Sequence, residues 1–377
     1  MVSSRTWLLY AAYTSTCLED RSWSFFSSIV LENIGGMRYV SLGQFSQSLI
    51  QMVFSGSLGG VIDRISRRNA IILTVVMNNF SMLMAILLMM ISQTLDPTPI
   101  SLYFSIFFCS LNRLFLNAEK SIISRDWIVL LGDSKTLSRE NATLTSLDQL
   151  LNIMAPLMVG ALVTAFGVFE TLLVFGICCI LSLISKSIFL RLTFKSLTYQ
   201  RQLSVSESDS SSLSSKPKSS SVFSTYYHQK TFLAALGMAL FYKTVMGFDN
   251  LAVGYASNSS NLSIFTIGLL KSYGSLAGMA GAVSYAIMEK RIGLVKAGMI
   301  GLVVQQICSL VAVGSVWMPG SPMGWMGHKD EQNYSIPVFL VAIATARYGL
   351  WCLDLAVTHS MQIHVPESER NTFPKSF

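Results

Sequence analysis

The chain has 377 residues, of which 51% are hydrophobic and 12% charged, and its mean hydropathy is +0.52. So little polar surface cannot cover a water-soluble globule, which places the chain in a lipid bilayer. The net charge of +7 does not call for nucleic acid as a partner, because basic residues flank membrane spans on their cytoplasmic side.

A hydrocarbon core about 30 Å thick needs roughly 20 apolar residues per spanning helix. Such runs predict an all-α polytopic membrane protein with ten spans: 6–31, 38–62, 69–92, 100–124, 140–166, 168–192, 229–256, 262–288, 294–317 and 336–363. Thr6 to Ala12 runs straight into Glu19, Asp20 and Arg21 without a small-residue cleavage site, so the first span is expected to be retained. The six cysteines lie in apolar runs without metal-site spacing and read as buried free thiols. Residues 204–221 (SVSESDSSSLSSKPKSSS) are Ser-rich and charged, and cannot repay the entropy of ordering. The expected organisation is a six-helix lobe over 1–192, a Ser-rich linker over 193–228 and a four-helix lobe over 229–377.

Basic residues follow the second, fourth, sixth and eighth spans, including Arg64, Arg67, Arg68, Arg125, Lys195, Lys290 and Arg291. These loops and the N-terminus are therefore expected on the cytoplasmic side.

Charges inside spans cost several kcal/mol each on insertion scales, so each asks for a partner or a function. Glu19, Asp20 and Arg21 lie mid-way along the first span. A divalent cation favours carboxylate oxygen, which makes Asp20 a candidate ligand; a purely structural pair with Arg21 or Arg113 is the alternative. In the fifth span Asn141, Asp148 and Asn152 are spaced by seven and four, which puts them on one helical face. Pro156 follows one turn later and is expected to kink that helix, freeing carbonyls near mid-membrane. In the second half Asp249 and Asn250 follow Gly247, and Arg347 and Asp354 lie seven apart on one face. Lys243 of the seventh span and Lys271 of the eighth add to these charges, and mutual ion pairing among Lys243, Asp249, Lys271, Arg347 and Asp354 competes with substrate contact. Glycines 247, 254, 268, 274, 278 and 281 fit close helix packing. His359 and His364 are five apart, the wrong spacing for one metal on one face.

Six spans, a polar linker and a second set of spans resemble the major facilitator superfamily, whose fold has twelve helices. Its signature between spans 2 and 3 is matched by Gly59-Gly60-Val61-Ile62-Asp63-Arg64-Ile65-Ser66-Arg67-Arg68. An Asp capping a neighbouring helix with Arg residues paired to it would latch a cytoplasmic gate. Asp126, in Arg125-Asp126-Trp127, is grouped with Gly59, Asp63, Arg64 and Arg67 as gate residues.

A run of short motifs in order resembles the ferroportin family over essentially the whole chain. These are Asp20-Arg21-Ser22-Trp23, Arg125-Asp126-Trp127-Ile128-Val129, Asn141-Ala142-Thr143, Leu147-Asp148-Gln149-Leu150, Gly247-Phe248-Asp249, Met318-Pro319-Gly320-Ser321-Pro322 and Gly349-Leu350-Trp351. The resemblance implies export of ferrous iron from the cytosol by alternating access. Iron would be the transported substrate, with no cofactor and the plasma membrane as the setting. Carried over by position, the metal site includes Asp20, with Asp148, Asn152 and Asn141 nearby. Vertebrate members have a His where Ser24 stands and a Cys where Asn250 stands. That Cys is central to inhibition by hepcidin, so no hepcidin-type regulation is expected. A family calcium site is matched only loosely by Asn78, Cys178 and Ser185 and is not carried over. The family continues into two further helices after Glu369-Arg370, whereas this sequence ends at Phe377. Rival readings are transport of another divalent metal or an organic solute, or an inactive partner of a longer relative. An enzyme is not expected, since the sequence has no nucleophile elbow, HExxH or P-loop.

Overall fold

The computed structural model describes residues 4–94, 99–123, 137–205, 232–244, 247–259, 262–318, 321 and 335–364. Among these residues there are helices and no strand. In chain order they are α1 (Ser4–Gly35), α2 (Met37–Arg64), α3 (Arg67–Thr94), α4 (Pro99–Ser121), α5 (Leu137–Phe166) and α6 (Val168–Val205). They continue with α7 (Phe232–Thr244), α8 (Asn250–Ser259), α9 (Ile264–Ile292), α10 (Leu294–Gly314) and α11 (Ser335–His364).

Helices lie at all ten predicted stretches, with two departures. The seventh stretch is two helices, because α7 ends at Thr244 and Asp249 caps a fresh start: its Oδ1 accepts the Ala252 N–H at 3.1 Å. The sixth runs to Val205, past the predicted end at 192 and into the expected linker. Length and composition suffice for crossing a membrane in six described helices: Arg68–Thr94, Ile100–Ser121, Ser146–Phe166, Val168–Leu192, Leu294–Trp317 and Ser335–Ser360.

The chain divides into two compact units. The first comprises Met1–Ser208 and Asp249–Ser272, the second Asp209–Phe248 and Tyr273–Phe377. The cut differs from the predicted boundaries in placing α8 and the start of α9 with the first unit. There α8 packs on α1 and α2, and Gln44 of α2 holds its first turn by donating to Asp249 Oδ2 at 2.7 Å and accepting the Leu251 N–H at 3.2 Å.

In the first unit α1 packs against α5 and α6, and α3 against α4 and α6. Trp23 and Phe26 of α1 meet Phe175 of α6, with Phe26 and Phe175 stacked at 4.6 Å between ring centroids. A second apolar cluster joins Tyr13, Cys17, Ile71, Val75, Ile123, Leu151 and Leu190. Outward positions such as Phe45, Met52, Phe104 and Ile177 are large, apolar and exposed, while Asp20, Asn78, Glu119 and Lys186 are buried. Polar inside and apolar outside is the arrangement a bilayer selects.

In the second unit α10 and α11 approach closely enough that a Cβ on Gly349 would lie 2.3 Å from the Gly301 carbonyl oxygen. Gly274, Gly278 and Gly281 of α9 likewise meet Ala344, Trp351 and Tyr348 of α11. Of the six glycines expected to serve packing, Gly247 alone faces open space.

Candidate cation site in the first helical unit

Asp20 lies near the middle of α1 and is 4% exposed. Three cations surround it. The Arg113 guanidinium of α4 bonds Oδ1, the Lys120 ammonium lies 2.6 Å from Oδ2, and Arg21 Nε lies 3.9 Å from Oδ2. The last is too long for a hydrogen bond, and this Nε is a buried donor without a partner. Asp148 of α5 takes the other end of the arrangement: Arg21 Nη2 donates to its Oδ2 at 2.7 Å, and Lys120 Nζ lies 3.4 Å from its Oδ1. Lys120 thus stands between two carboxylates that come from different helices. Asn152 is buried one turn beyond Asp148 on α5.

A second cluster lies one residue away along α1 and is more deeply enclosed. Lys186 of α6 is wholly buried, with its ammonium 2.6 Å from Glu19 Oε2 and 3.2 Å from Glu119 Oε1. Asn78 of α3 donates to Glu19 Oε1 at 3.1 Å and to Glu119 Oε2 at 3.0 Å, and accepts from Asn112 at 2.6 Å. Thr16 Oγ1 donates to Glu119 Oε1 at 2.6 Å, and Ser182 Oγ to Glu19 Oε2 at 2.9 Å. Every carboxylate oxygen here has a donor, which is what makes burying the charges tolerable. At formal ionisation the Asp20 cluster holds three cations to two carboxylates, and the Glu19 cluster one cation to two. Together they are four against four.

Three of the charges in these clusters are not among those singled out from the sequence: Glu119, Lys120 and Lys186. Each lies inside a predicted span, which is the signal that could have found it. Of the loose calcium-site matches, Asn78 anchors the Glu19 cluster, whereas Cys178 and Ser185 are not in it; Ser185 bonds the carbonyls of Leu181 and Ser182. Among the described residues no three His, Cys, Asp or Glu side chains converge as metal ligands.

The other predicted residues fall elsewhere. Asn141 is in α5, and Asp63 and Arg67 lie at the end of α2 and the start of α3, but these three side chains are outside the described ones; so is the whole of Asp126. Gly59 is within α2 with open space beside it, and Arg64 is exposed in the last turn. Asp249 serves as the cap of α8. Asn250 Oδ1 accepts from Ser24 Oγ at 3.3 Å, so the two positions where this sequence departs from the vertebrate pattern touch each other. In the second unit Asp354 and Arg347 both lie close enough to Tyr242 to act on it electrostatically. His359 Nδ1 is 2.9 Å from Glu289 Oε1.

The family profile described as Ferroportin1 (FPN1) matches residues 3–375. The chain belongs to the ferroportin family. Among relatives, ferroportin of Canis lupus familiaris is 25% identical over 478 residues, covering 98% of this chain and 82% of the relative. Ferroportin of Homo sapiens is 24% identical over 473 residues with the same coverage. A bacterial homologue of iron transporter ferroportin, solved in an inward-facing state, superposes with TM-score 0.77 at 19% identity, over 99% of this chain and 87% of the other. The xylose transporter XylE from E. coli, in a partially occluded inward open conformation, gives TM-score 0.56 at 12% identity over the full length of both. This ferroportin is thus a multi-pass helical membrane protein with a major-facilitator-like fold, and it is not an enzyme.

Proposed function

We propose that this ferroportin transports ferrous iron out of the cytosol by alternating access, with Asp20 and Asp148 as the carboxylates that receive the metal and Asn152 and Asn141 in support. The observation that carries this reading is the convergence of Asp20 and Asp148 on one cation, at 2.6 and 3.4 Å, inside the first helical unit. Two carboxylates from different helices around a single positive charge offer the hard oxygen ligands a divalent ion favours. The relatives named ferroportin and the bacterial iron-transporter homologue support iron as cargo.

In the same reading Gly59, Asp63, Arg64, Arg67 and Asp126 form the cytoplasmic latch. Asp249, Asn250, Arg347 and Asp354 supply polar groups from the second half of the chain. Lobes over 1–192 and 229–377, joined by a linker over 193–228, sit in the plasma membrane with the N-terminus in the cytoplasm. Regulation by hepcidin is absent, because Asn250 supplies no thiol. The second reading, a different cargo on the same fold, is favoured by the fact that every carboxylate of the two clusters already has a side-chain cation beside it.

The test is iron release from preloaded cells that express the chain, compared with Asp20→Ala at equal surface abundance. Efflux that the substitution abolishes supports iron export through this site. Equal efflux from both proteins overturns the site, and no efflux from surface-expressed wild type overturns the cargo.

A further inference from the structure

Lys120 occupies the position that the cargo would need. Its ammonium lies within hydrogen-bond distance of both Asp20 and Asp148; the Arg21 guanidinium also faces both, at 3.9 and 2.7 Å, but bonds only Asp148 and belongs to α1 itself, and Arg113 bonds Asp20 from an earlier turn of α4. Lys120 comes from the last regular turn of α4, where the helix widens into π geometry at residues 122–123; such widened turns are frequent at functional positions. A lysine is a compact point charge on a flexible stem, able to leave and return by rotation about its own bonds, unlike a guanidinium forked onto a carboxylate.

Charge balance favours such movement, which halves the excess positive charge that a bound divalent ion brings. The two clusters hold four carboxylates and four cations without any metal, so a divalent ion entering beside a fixed Lys120 would leave two uncompensated positive charges in a low-dielectric interior. We propose that the Lys120 ammonium is the resident counter-cation of the Asp20–Asp148 pair, displaced by the incoming divalent metal ion and returning when the metal leaves. This rests on the reading of that pair as the metal site. It gives the protein an internal exchange: when the metal leaves, the ammonium returns between two carboxylates that Arg113 and Arg21 also contact, and the metal's apparent affinity is scaled down to the fraction of molecules in which the pair is free of Lys120.

The experiment is calorimetric titration of the full chain in lipid nanodiscs with Co2+, a divalent ion that resists air oxidation. Wild type is compared with Lys120→Met, Lys120→Arg and Asp20→Asn. Lys120→Met, close to isosteric and neutral, is expected to bind Co2+ about ten-fold tighter or more, while Lys120→Arg binds no tighter than wild type and Asp20→Asn loses binding. Tighter binding should come without faster iron efflux, since the return of the ammonium is lost. Unchanged or weaker binding by Lys120→Met, eluting and melting like wild type, overturns the exchange and leaves the site standing. Should Lys120→Met prove unstable, Lys120→Gln carries the same expectation. Co2+ binding that Asp20→Asn does not alter, or none by any variant, overturns the site itself and the exchange with it.

Discussion

Lys186 shows what the interior of this ferroportin demands of a single side chain. Its ammonium serves both Glu19 and Glu119 with no water contact, so Lys186→Met strands two carboxylates and should cost about 3–5 kcal/mol of stability. A melting temperature in detergent equal to wild type would refute this; the double variant with Glu119→Gln should recover part of the loss, because one stranded charge is removed. At this scale the sequence is informative about charges in apolar runs, and Asp20 and Asp148 can be found there. Which charges meet is not readable from spacing. Lys186 lies 167 positions from Glu19, and only the packing of α1, α3, α4 and α6 brings their side chains together. Arg113 as a partner of Asp20 was one of two open alternatives in the sequence, and the structure contains that pair and the Arg21 approach together.

Between α5 and α9 the decisive feature is Pro156. It has no N–H to give to the Asn152 carbonyl four residues back, which loosens the helix there. The neighbouring Ile153 carbonyl accepts from Ser272 Oγ at 2.5 Å. Gly268 lets the Pro156 carbonyl approach to where its own Cβ would be, 2.5 Å away. Gly268→Leu should therefore push α9 off α5 and cost about 1–3 kcal/mol or more, visible as a lower melting temperature; a variant as stable as wild type would mean that the backbones separate without penalty. The glycine stripe is legible in the sequence because small residues mark close helix approach. The break before α8 is less so: Gly247 and Asp249 are turn and cap residues, but they lie in an apolar run long enough to read as one span.

For the whole molecule, hydropathy is sufficient to name the class, and among the described residues the apolar runs are helical. The ends are harder to read, as α6 shows by running on to Val205, because a helix leaving the bilayer meets no compositional stop until the Ser-rich segment begins. The distribution of basic residues makes a separate prediction. Epitope tags placed at the N-terminus and within 209–218 should both be stained only after cells are permeabilised; staining of either tag on intact cells would reverse the orientation. The six helices apolar enough to cross a membrane do not include α1, whose Glu19, Asp20 and Arg21 find their partners on α4, α5 and α6. This has a consequence for biosynthesis. At ribosomal speed the 167 positions from Glu19 to Lys186 take roughly 10–30 s to make. Throughout that interval the first helix carries charges that lipid does not accept, so it must wait in the insertion machinery, or at the membrane surface, until the sixth helix arrives to release it.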